Sequence, residues 1–222
     1  MKKYIALFII FIVIACYIFI GCNSTSSAIK PLADKEKVIG IQPFENFDLR
    51  LADTVSQQIQ LAYGIKTIVL KSVPLPKEAF TTIRSPRYRA DSLLRHLHKI
   101  RPDSLCIIMG LTDHDISITK FVDGKIKEPK SKYIDFGIFG LGALPGQACI
   151  ISIYRYKSSE KSLFYDRFFK ISKHEIGHNL GLPHCHNKTC IMQDAAESIQ
   201  TIDRAGKFLC EDCKEKISDV RY

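Results

Sequence analysis

The sequence predicts an α/β (α+β) fold, in which a single domain contains a twisted mixed sheet packed by helices. Short apolar runs alternate with segments whose apolar residues recur every three or four positions. The order is strand, helix, strand, helix, strand, and then strand and helix, which favours one sheet packed against helices. Of the 222 residues, 46% are hydrophobic and 25% are charged, as is typical of a globular domain.

The apolar patterns give each element its approximate bounds. Val38-Ile39-Gly40-Ile41 is a short strand, and the apolar spacing from Leu49 to Ala62 predicts a helix that stops at Gly64. The remaining predicted elements are strands at 66–70, 104–111 and 148–154 and helices at 89–100 and 161–181. The Gly-rich stretch 112–145 is predicted to be irregular. Strand 148–154 is a candidate edge strand that could hold an extended peptide.

The first 22 residues are predicted to be an export segment outside the folded domain. Lys2 and Lys3 precede an uncharged apolar run at 4–20, and polar residues follow Gly21-Cys22. Gly21-Cys22 resembles the lipobox of bacterial lipoproteins, which makes Cys22 the lipidation candidate, although Cys16 also fits the pattern. The predicted organisation is a signal or lipoprotein segment at 1–22, a linker at 23–36 and the folded domain at 37–222.

Other interpretations of the N-terminal segment stay open. The apolar run of 17 residues is close to the lower limit for a membrane-spanning helix, so an uncleaved anchor competes with lipidation and with ordinary secretion. The two leading interpretations both attach the chain to a membrane on its exported side, at the periplasmic or cell-surface face.

The formal net charge is +9, and the basic residues are densest between positions 84 and 101. An acidic substrate or an anionic lipid surface would suit this stretch. A solvated helix face is favoured because no nucleic-acid-binding motif accompanies the charges, and no nucleic-acid partner is expected. The basic residues of this stretch are Arg84, Arg87, Arg89, Arg95, Lys99 and Arg101.

The last predicted helix carries the motif His-Glu-x-x-His. His174 and His178 are four residues apart, so they lie on one helical face and can bind a single zinc ion. Glu175 is placed to act as general base, taking a proton from a zinc-bound water and passing it to the leaving amine. Gly181 can end the helix with a positive φ and bring His184 to the same metal. This spacing is the extended zinc signature of metallopeptidases, and it leaves a coordination position open.

Four cysteines follow the histidines as two pairs, Cys185/Cys190 and Cys210/Cys213. Two such pairs are the usual arrangement of a four-thiolate zinc site, which would explain how so short a tail folds. Disulfides Cys185–Cys190 and Cys210–Cys213 compete with this interpretation because an exported chain meets an oxidising environment.

The segment from His174 to Cys213 resembles the signature of the archaemetzincins, a family of metzincin-type zinc metallopeptidases, at every defined position over 40 residues. The segment from Phe139 to Arg155 also resembles the one that precedes the active-site helix in that family. The export segment departs from the cytosolic members of the family.

The resemblance implies a compact metzincin-like domain whose active-site helix precedes a short Cys-rich, zinc-bound C-terminal part. It implies two zinc ions per chain, a catalytic one on three histidines and a structural one on four cysteines, with Met192 in the Met-turn below the histidines. The implied activity is hydrolysis of peptide or protein substrates by a monomeric enzyme, with aminopeptidase action on short peptides as one option. The alternatives are a membrane-tethered zinc-binding interaction module without turnover and a disulfide-stapled domain with one zinc.

Overall fold

The computed structural model describes residues 37–156, 158–194 and 198–218. Segments 1–22 and 23–36, and Cys16 and Cys22 with them, lie outside these residues, so the export segment and the linker stay predictions. Across the described ranges, no helix is both long enough and apolar enough to cross a membrane.

The fold alternates strands and helices in its first half and ends in helices. The strands are β1 (Val38–Pro43), β2 (Lys66–Val69), β3 (Phe80–Thr81), β4 (Arg87–Arg89), β5 (Ile107–Thr112), β6 (Ile116–Ile118), β7 (Phe121–Val122), β8 (Lys125–Ile126), β9 (Phe136–Ile138), β10 (Gly140–Gly142) and β11 (Ala148–Ser152). The helices are α1 (Leu49–Tyr63), α2 (Ala90–Ile100), α3 (Lys130–Tyr133), α4 (Lys161–Asn179), α5 (Ile199–Arg204) and α6 (Glu211–Ser218).

The main sheet has the strand order β10-β11-β5-β1-β2. Strands β11, β5, β1 and β2 run parallel, and β10 at the edge is antiparallel to β11. Every residue of β5 is buried, as expected of a parallel strand that is covered on both faces. The sheet is therefore mixed and lies between helices, which confirms the predicted fold class.

Apolar clusters on the two faces of the sheet hold the layers together. Ile39 and Ile41 of β1 pack in one cluster with residues of α1 and α4, such as Val55 and Phe168. Ile108 of β5 packs in the other cluster with Leu93 and Leu97 of α2. The period-2 alternation of strand side chains sends neighbouring residues to opposite clusters.

The first helix begins and ends where the sequence predicts. The Asp48 side chain accepts a hydrogen bond from the Arg50 backbone N–H at 2.9 Å, which caps the N-terminus. Gly64 ends the helix at φ 66° and donates its N–H to the Gln60 carbonyl, a left-handed cap that glycine adopts at little cost.

The region 112–145 is more regular than predicted. Strands β6 and β9 join β3 and β4 in a four-stranded sheet of order β3-β4-β6-β9, and β7 and β8 form a two-stranded ribbon. These strands have two or three residues each, too few to show a two-residue alternation in the sequence.

The predicted edge strand 148–154 is wrong in its placement. Strand β11 lies inside the sheet, paired with β5 on one side and with β10 on the other. The free edge belongs to β10, which lies within the stretch predicted to be irregular.

Candidate active site

Helix α4 presents two histidines on one face. The ring centroids of His174 and His178 lie 4.6 Å apart with the rings nearly perpendicular. The spacing of four residues places the two rings one turn apart on the helix, as predicted. The later half of α4 is almost entirely buried, so the rings are held by a rigid element.

The turn after α4 brings the third histidine to the same place. Gly181 has φ 90°; its N–H donates to the His178 carbonyl, and the Leu182 N–H donates to the Gly177 carbonyl, both at 2.9 Å. These two bonds form a Schellman motif, which reverses the chain after a helix. The His184 ring then lies 5.4 Å from His174 and 4.9 Å from His178.

The three histidines have the geometry of a metal-binding set. One ring nitrogen of each lies within 4.8 Å of the other two. The His174 Nδ1–H donates to the Ile191 carbonyl at 2.9 Å, and the His178 Nδ1–H donates to the Leu182 carbonyl at 2.8 Å. Because a carbonyl can only accept, these bonds place the proton on Nδ1 and leave the Nε2 lone pair for a metal. The third ring, His184, has its Nδ1 3.6 Å from the Asp194 carboxylate.

The electrostatic setting keeps the helical histidines neutral in the metal-free chain. Burial, with a smaller contribution from the His178 ring, lowers the pKa of His174 to about 4. Burial also lowers the pKa of His178. A neutral imidazole is the form that binds zinc, so the site fits the metal without a protonation cost near neutral pH.

Glu175 lies between the helix and the edge strand. Only 9% of Glu175 is exposed, and burial raises its pKa to about 8, against the lowering effect of a backbone hydrogen bond from Gly142. A Cβ at Gly140 would lie 3.1 Å from Glu175 Oε1, and one at Gly142 would lie 2.7 Å from the Glu175 carbonyl oxygen. The bare backbone of β10 is what allows this strand to approach the carboxylate so closely.

The sequence analysis did not assign these two glycines to the site. Gly140 and Gly142 lie two residues apart, so they share the face of β10 that meets α4. Leu141 points to the opposite face and packs with the α2 cluster. The pattern Gly-Leu-Gly shortly before a predicted strand was the available signal.

A cavity of about 190 Å³ opens beside these groups. It is mostly apolar, and among its lining residues Glu175 is the only carboxylate. Lys120 also lines it, with its Nζ 4.3 Å from the centre of the Phe136 ring. The lining residues are Ile118, Lys120, Ile138, Phe139, Gly140, Leu141, Gly142, Ile171, His174, Glu175, His178 and His184.

Met192 lies under the helix, as the predicted Met-turn requires. It is fully buried, and a Cβ at Gly177 would overlap its Sδ and lie 3.0 Å from its Cε. The glycine in mid-helix therefore makes room for the thioether. The preceding residue, Ile191, accepts the hydrogen bond from His174, so this turn also orients a candidate ligand.

The four C-terminal cysteines converge in a second group. All four are free thiols, and Sγ atoms of Cys185 and Cys210, and of Cys190 and Cys213, lie 3.8 Å apart. Sulfur atoms bound at ~2.3 Å to a tetrahedral zinc ion lie about 3.8 Å from one another. A disulfide would require about 2.05 Å, so the arrangement fits a four-thiolate zinc site and neither proposed disulfide.

His184 and Cys185 are sequence neighbours that belong to different groups. The Cys185 N–H donates to the Met192 carbonyl at 2.8 Å, which holds this segment extended, so the two side chains point in opposite directions. His186 is exposed and belongs to neither group. Neither Tyr154 nor Tyr156 lines the cavity, so neither is placed to stabilise an oxyanion there.

The basic stretch does not form one solvated helix face. Arg84 and Arg87 precede α2, and Arg87 lies in β4 with a side chain that is only 9% exposed. Arg95 lies on α2 and is 71% exposed, as the favoured interpretation expects. The stretch therefore divides into a buried part and a solvated part.

Comparison with known proteins follows this geometry closely. The model of peptidase family M54 matches residues 36–219. Archaemetzincin of Archaeoglobus fulgidus is 27% identical over 179 residues, which is 81% of this chain and 98% of that protein.

Solved structures agree with the fold. The crystal structure of archaemetzincin from Methanopyrus kandleri superposes with a TM-score of 0.67 at 23% identity, covering 83% of this chain and 95% of that one. The archaemetzincin of Archaeoglobus fulgidus complexed with malonate gives a TM-score of 0.63 at 25% identity, covering 81% and 99%.

The family match covers most of the chain and includes both groups of metal-binding side chains. It favours an enzyme over an interaction module without turnover. The chain belongs to peptidase family M54, the archaemetzincins, and is a zinc metallopeptidase.

Proposed function

We propose that the chain hydrolyses peptide bonds at the cavity between α4 and β10. His174, His178 and His184 would hold the catalytic zinc ion, and Glu175 would act as the general base. The convergence of three imidazoles, two with Nδ1 fixed by carbonyls, beside a buried carboxylate carries this proposal.

The side chains divide the chemistry between them. Zinc, when bound, supplies a Lewis acid that polarises a carbonyl and lowers the pKa of a water molecule to roughly 7. Glu175 accepts a proton from the attacking water and donates it to the leaving amine. The apolar lining of the cavity excludes bulk water, which strengthens each electrostatic interaction within it.

The free edge of β10 is the proposed place for the substrate backbone. A peptide that adds to this edge as a further strand would hydrogen-bond to a segment whose inner face lies against Glu175. This replaces strand 148–154, which is internal, as the substrate-binding strand.

The cysteine group is proposed to bind a second, structural zinc ion. Its segment carries His184 at one end and Met192 after Cys190, so the ion would fix the third ligand and the floor of the catalytic site together. Burial raises the pKa of Cys190 and of Cys213 in the metal-free chain, whereas a bound zinc ion favours the thiolate.

The aminopeptidase option is not extended by the cavity. An aminopeptidase needs a negative group to hold the substrate ammonium, and among the described lining residues only Glu175 is acidic. Acetylating the N-terminus of a cleaved peptide is therefore expected to leave its cleavage unchanged; loss of cleavage would instead support the aminopeptidase option.

Glu175→Gln tests the proposed mechanism directly. We expect hydrolysis of a mixed peptide library by the zinc-loaded chain to fall by 10²–10⁴-fold, with zinc content per chain unchanged by atomic absorption. Glu78→Gln, at a side chain that is 75% exposed, is the matched control. Full activity of zinc-loaded Glu175→Gln would refute the general-base role, and one zinc per chain would refute the second site.

The place of the enzyme in the cell remains a prediction from its first 22 residues. We propose attachment to the exported face of a membrane through Cys22, and action as a monomer. Labelling with a lipid precursor should disappear in Cys22→Ser; unchanged labelling would assign Cys16. Light scattering of the detergent-free domain measures its oligomeric state.

A further inference from the structure

A second cavity, of about 710 Å³, lies beside the catalytic one and is lined by cations. Its charged lining side chains are Arg84, Arg87, Lys132 and Arg155, and no carboxylate is among its described lining residues. We name it the basic cavity.

Buried carboxylates neutralise only part of this charge. Arg155 binds Asp115 through two hydrogen bonds of 2.6 and 2.7 Å. Arg87 lies 3.3 Å from the same carboxylate and 3.6 Å from Asp135, which it shares with Arg89. Four lining cations thus share two carboxylates, which leaves at least two positive charges in excess.

The remaining two cations are directed elsewhere. Arg84 donates to the carbonyl of Lys132 at 3.1 Å, and Lys132 lies 5.0 Å from the centre of the Tyr133 ring. Both residues are exposed at the mouth of the cavity. An anion that entered would therefore meet two mobile cations at the rim and two fixed guanidinium groups inside.

The backbone is shaped to admit one of these guanidinium groups. A Cβ at Gly137 of β9 would overlap the guanidinium of Arg155. The glycine therefore leaves the space that the arginine fills. The ion pair with Asp115 then fixes the guanidinium in this position.

The basic cavity adjoins the catalytic cavity across one side chain. Phe139 lines both. Gly137 lines the basic cavity, and Gly140, three residues later, lies against Glu175. Three residues span at most about 11 Å, so a peptide of three or four residues can reach from one cavity to the other.

The direction of β10 says which part of a peptide reaches it. Phe139 precedes Gly140, so the basic cavity is at the beginning of the strand. A peptide bound antiparallel to β10 would run from Gly142 towards Gly140 and place the residues C-terminal to its scissile bond at Phe139.

We infer that the basic cavity binds a carboxylate of the substrate on the C-terminal side of the scissile bond. The carboxylate is either an acidic side chain or the peptide C-terminus. This inference rests on the proposed function for the position of the scissile bond, and it makes the enzyme selective for acidic or short C-terminal segments.

Binding to the zinc-loaded full chain carrying Glu175→Gln tests the inference without turnover. Fluorescence anisotropy would compare N-terminally labelled Ala-rich octapeptides that carry Asp or Asn at the sixth position, each with a free or amidated C-terminus. We expect two- to fivefold tighter binding for each carboxylate that reaches the cavity. Raising the salt to 1 M should remove the preference.

Variants locate the effect. Arg84→Gln and Lys132→Gln, at exposed positions, should each reduce the preference for the carboxylate peptides by two- to fivefold. Arg95→Gln, which removes the same charge from the solvated face of α2, is the matched control and should leave the preference unchanged.

The outcomes separate this inference from the proposed function. A preference lost on amidation assigns the C-terminal carboxylate, and one lost on Asp to Asn assigns the side chain. Equal binding of all four peptides, or an equal effect of Arg95→Gln, would overturn the inference even if wild type cleaves peptides. Absence of cleavage with an intact, Arg84-dependent preference would overturn the proposed function alone.

Discussion

Gly142→Ala is expected to impair catalysis while leaving both metal sites loaded. The added Cβ would lie 2.7 Å from the Glu175 carbonyl oxygen and 3.0 Å from its Oε2. The first of these atoms belongs to the backbone of α4 and cannot rotate away. Strand and helix must therefore separate by about 0.7 Å to reach an ordinary contact of 3.4 Å.

The size of the effect follows from this displacement. Overpacking of a fixed contact costs roughly 1–3 kcal/mol of folding stability, and a misplacement near 1 Å costs about 10²-fold in rate. We expect kcat/KM for peptide hydrolysis to fall by roughly 10- to 100-fold. The histidines keep their carbonyl partners, Ile191 and Leu182, which do not contact the new methyl group, so zinc content should not change.

Gly140→Ala is the internal control because it makes the same change on the same face of the same strand. Its Cβ would meet only side-chain atoms, at 3.0–3.1 Å, and these can shift. Hydrolysis rates, thermal unfolding and zinc content would be measured for both variants. An effect of Gly140→Ala as large as that of Gly142→Ala would refute the argument from backbone contact, as would wild-type activity of Gly142→Ala.

Three further predictions concern the floor, the second metal site and the acid stability of the chain. Gly177→Ala should gain about 1 kcal/mol in helix propensity but lose roughly 1–3 kcal/mol through overlap with Met192, so chemical unfolding should show net destabilisation; a net gain would contradict it. Cys190→Ser should lower the zinc content by one ion per chain and the melting temperature with it, whereas Cys106→Ser, outside both groups, should leave the zinc content unchanged; two zinc ions in Cys190→Ser would exclude the structural site. The Arg167 hydrogen bonds at 2.7 and 2.8 Å lower the pKa of Asp203, so the pair stabilises the fold above the unfolded-state pKa of 3.8, and this contribution is lost as the pH falls through the lower folded-state value. Asp203→Asn should therefore cost up to about 1 kcal/mol at pH 7 and progressively less below pH 3.8; an equal cost at pH 7 and pH 2 would show that the effect is not ionic.

Local chemistry made much of the fold predictable. The helix at 49–63 has a side-chain cap at one end and a glycine at the other, and the buried strands are continuous apolar runs. Strands β6 to β9 were not predictable because strands of two or three residues leave no periodic signal. Their pairing depends on partners elsewhere in the chain, such as β4 for β6.

The sequence by itself determined which residues meet a metal. The spacing of four on a helix places His174 beside His178, Gly181 supplies the positive φ that returns His184, and these are local geometric consequences of residue type and position. The same holds for the paired cysteines, whose spacing indicated one four-thiolate group.

Only the tertiary structure decided what surrounds the metal site. Sequence distance hides that β10 forms the sheet edge, that Gly142 lies against Glu175, and that Arg155 and Arg87 share Asp115 beside the cleft. These contacts join segments 28 to 68 residues apart, and only packing of the whole chain specifies them. The catalytic groups are thus written in local spacing, whereas the substrate-facing surface depends on long-range packing.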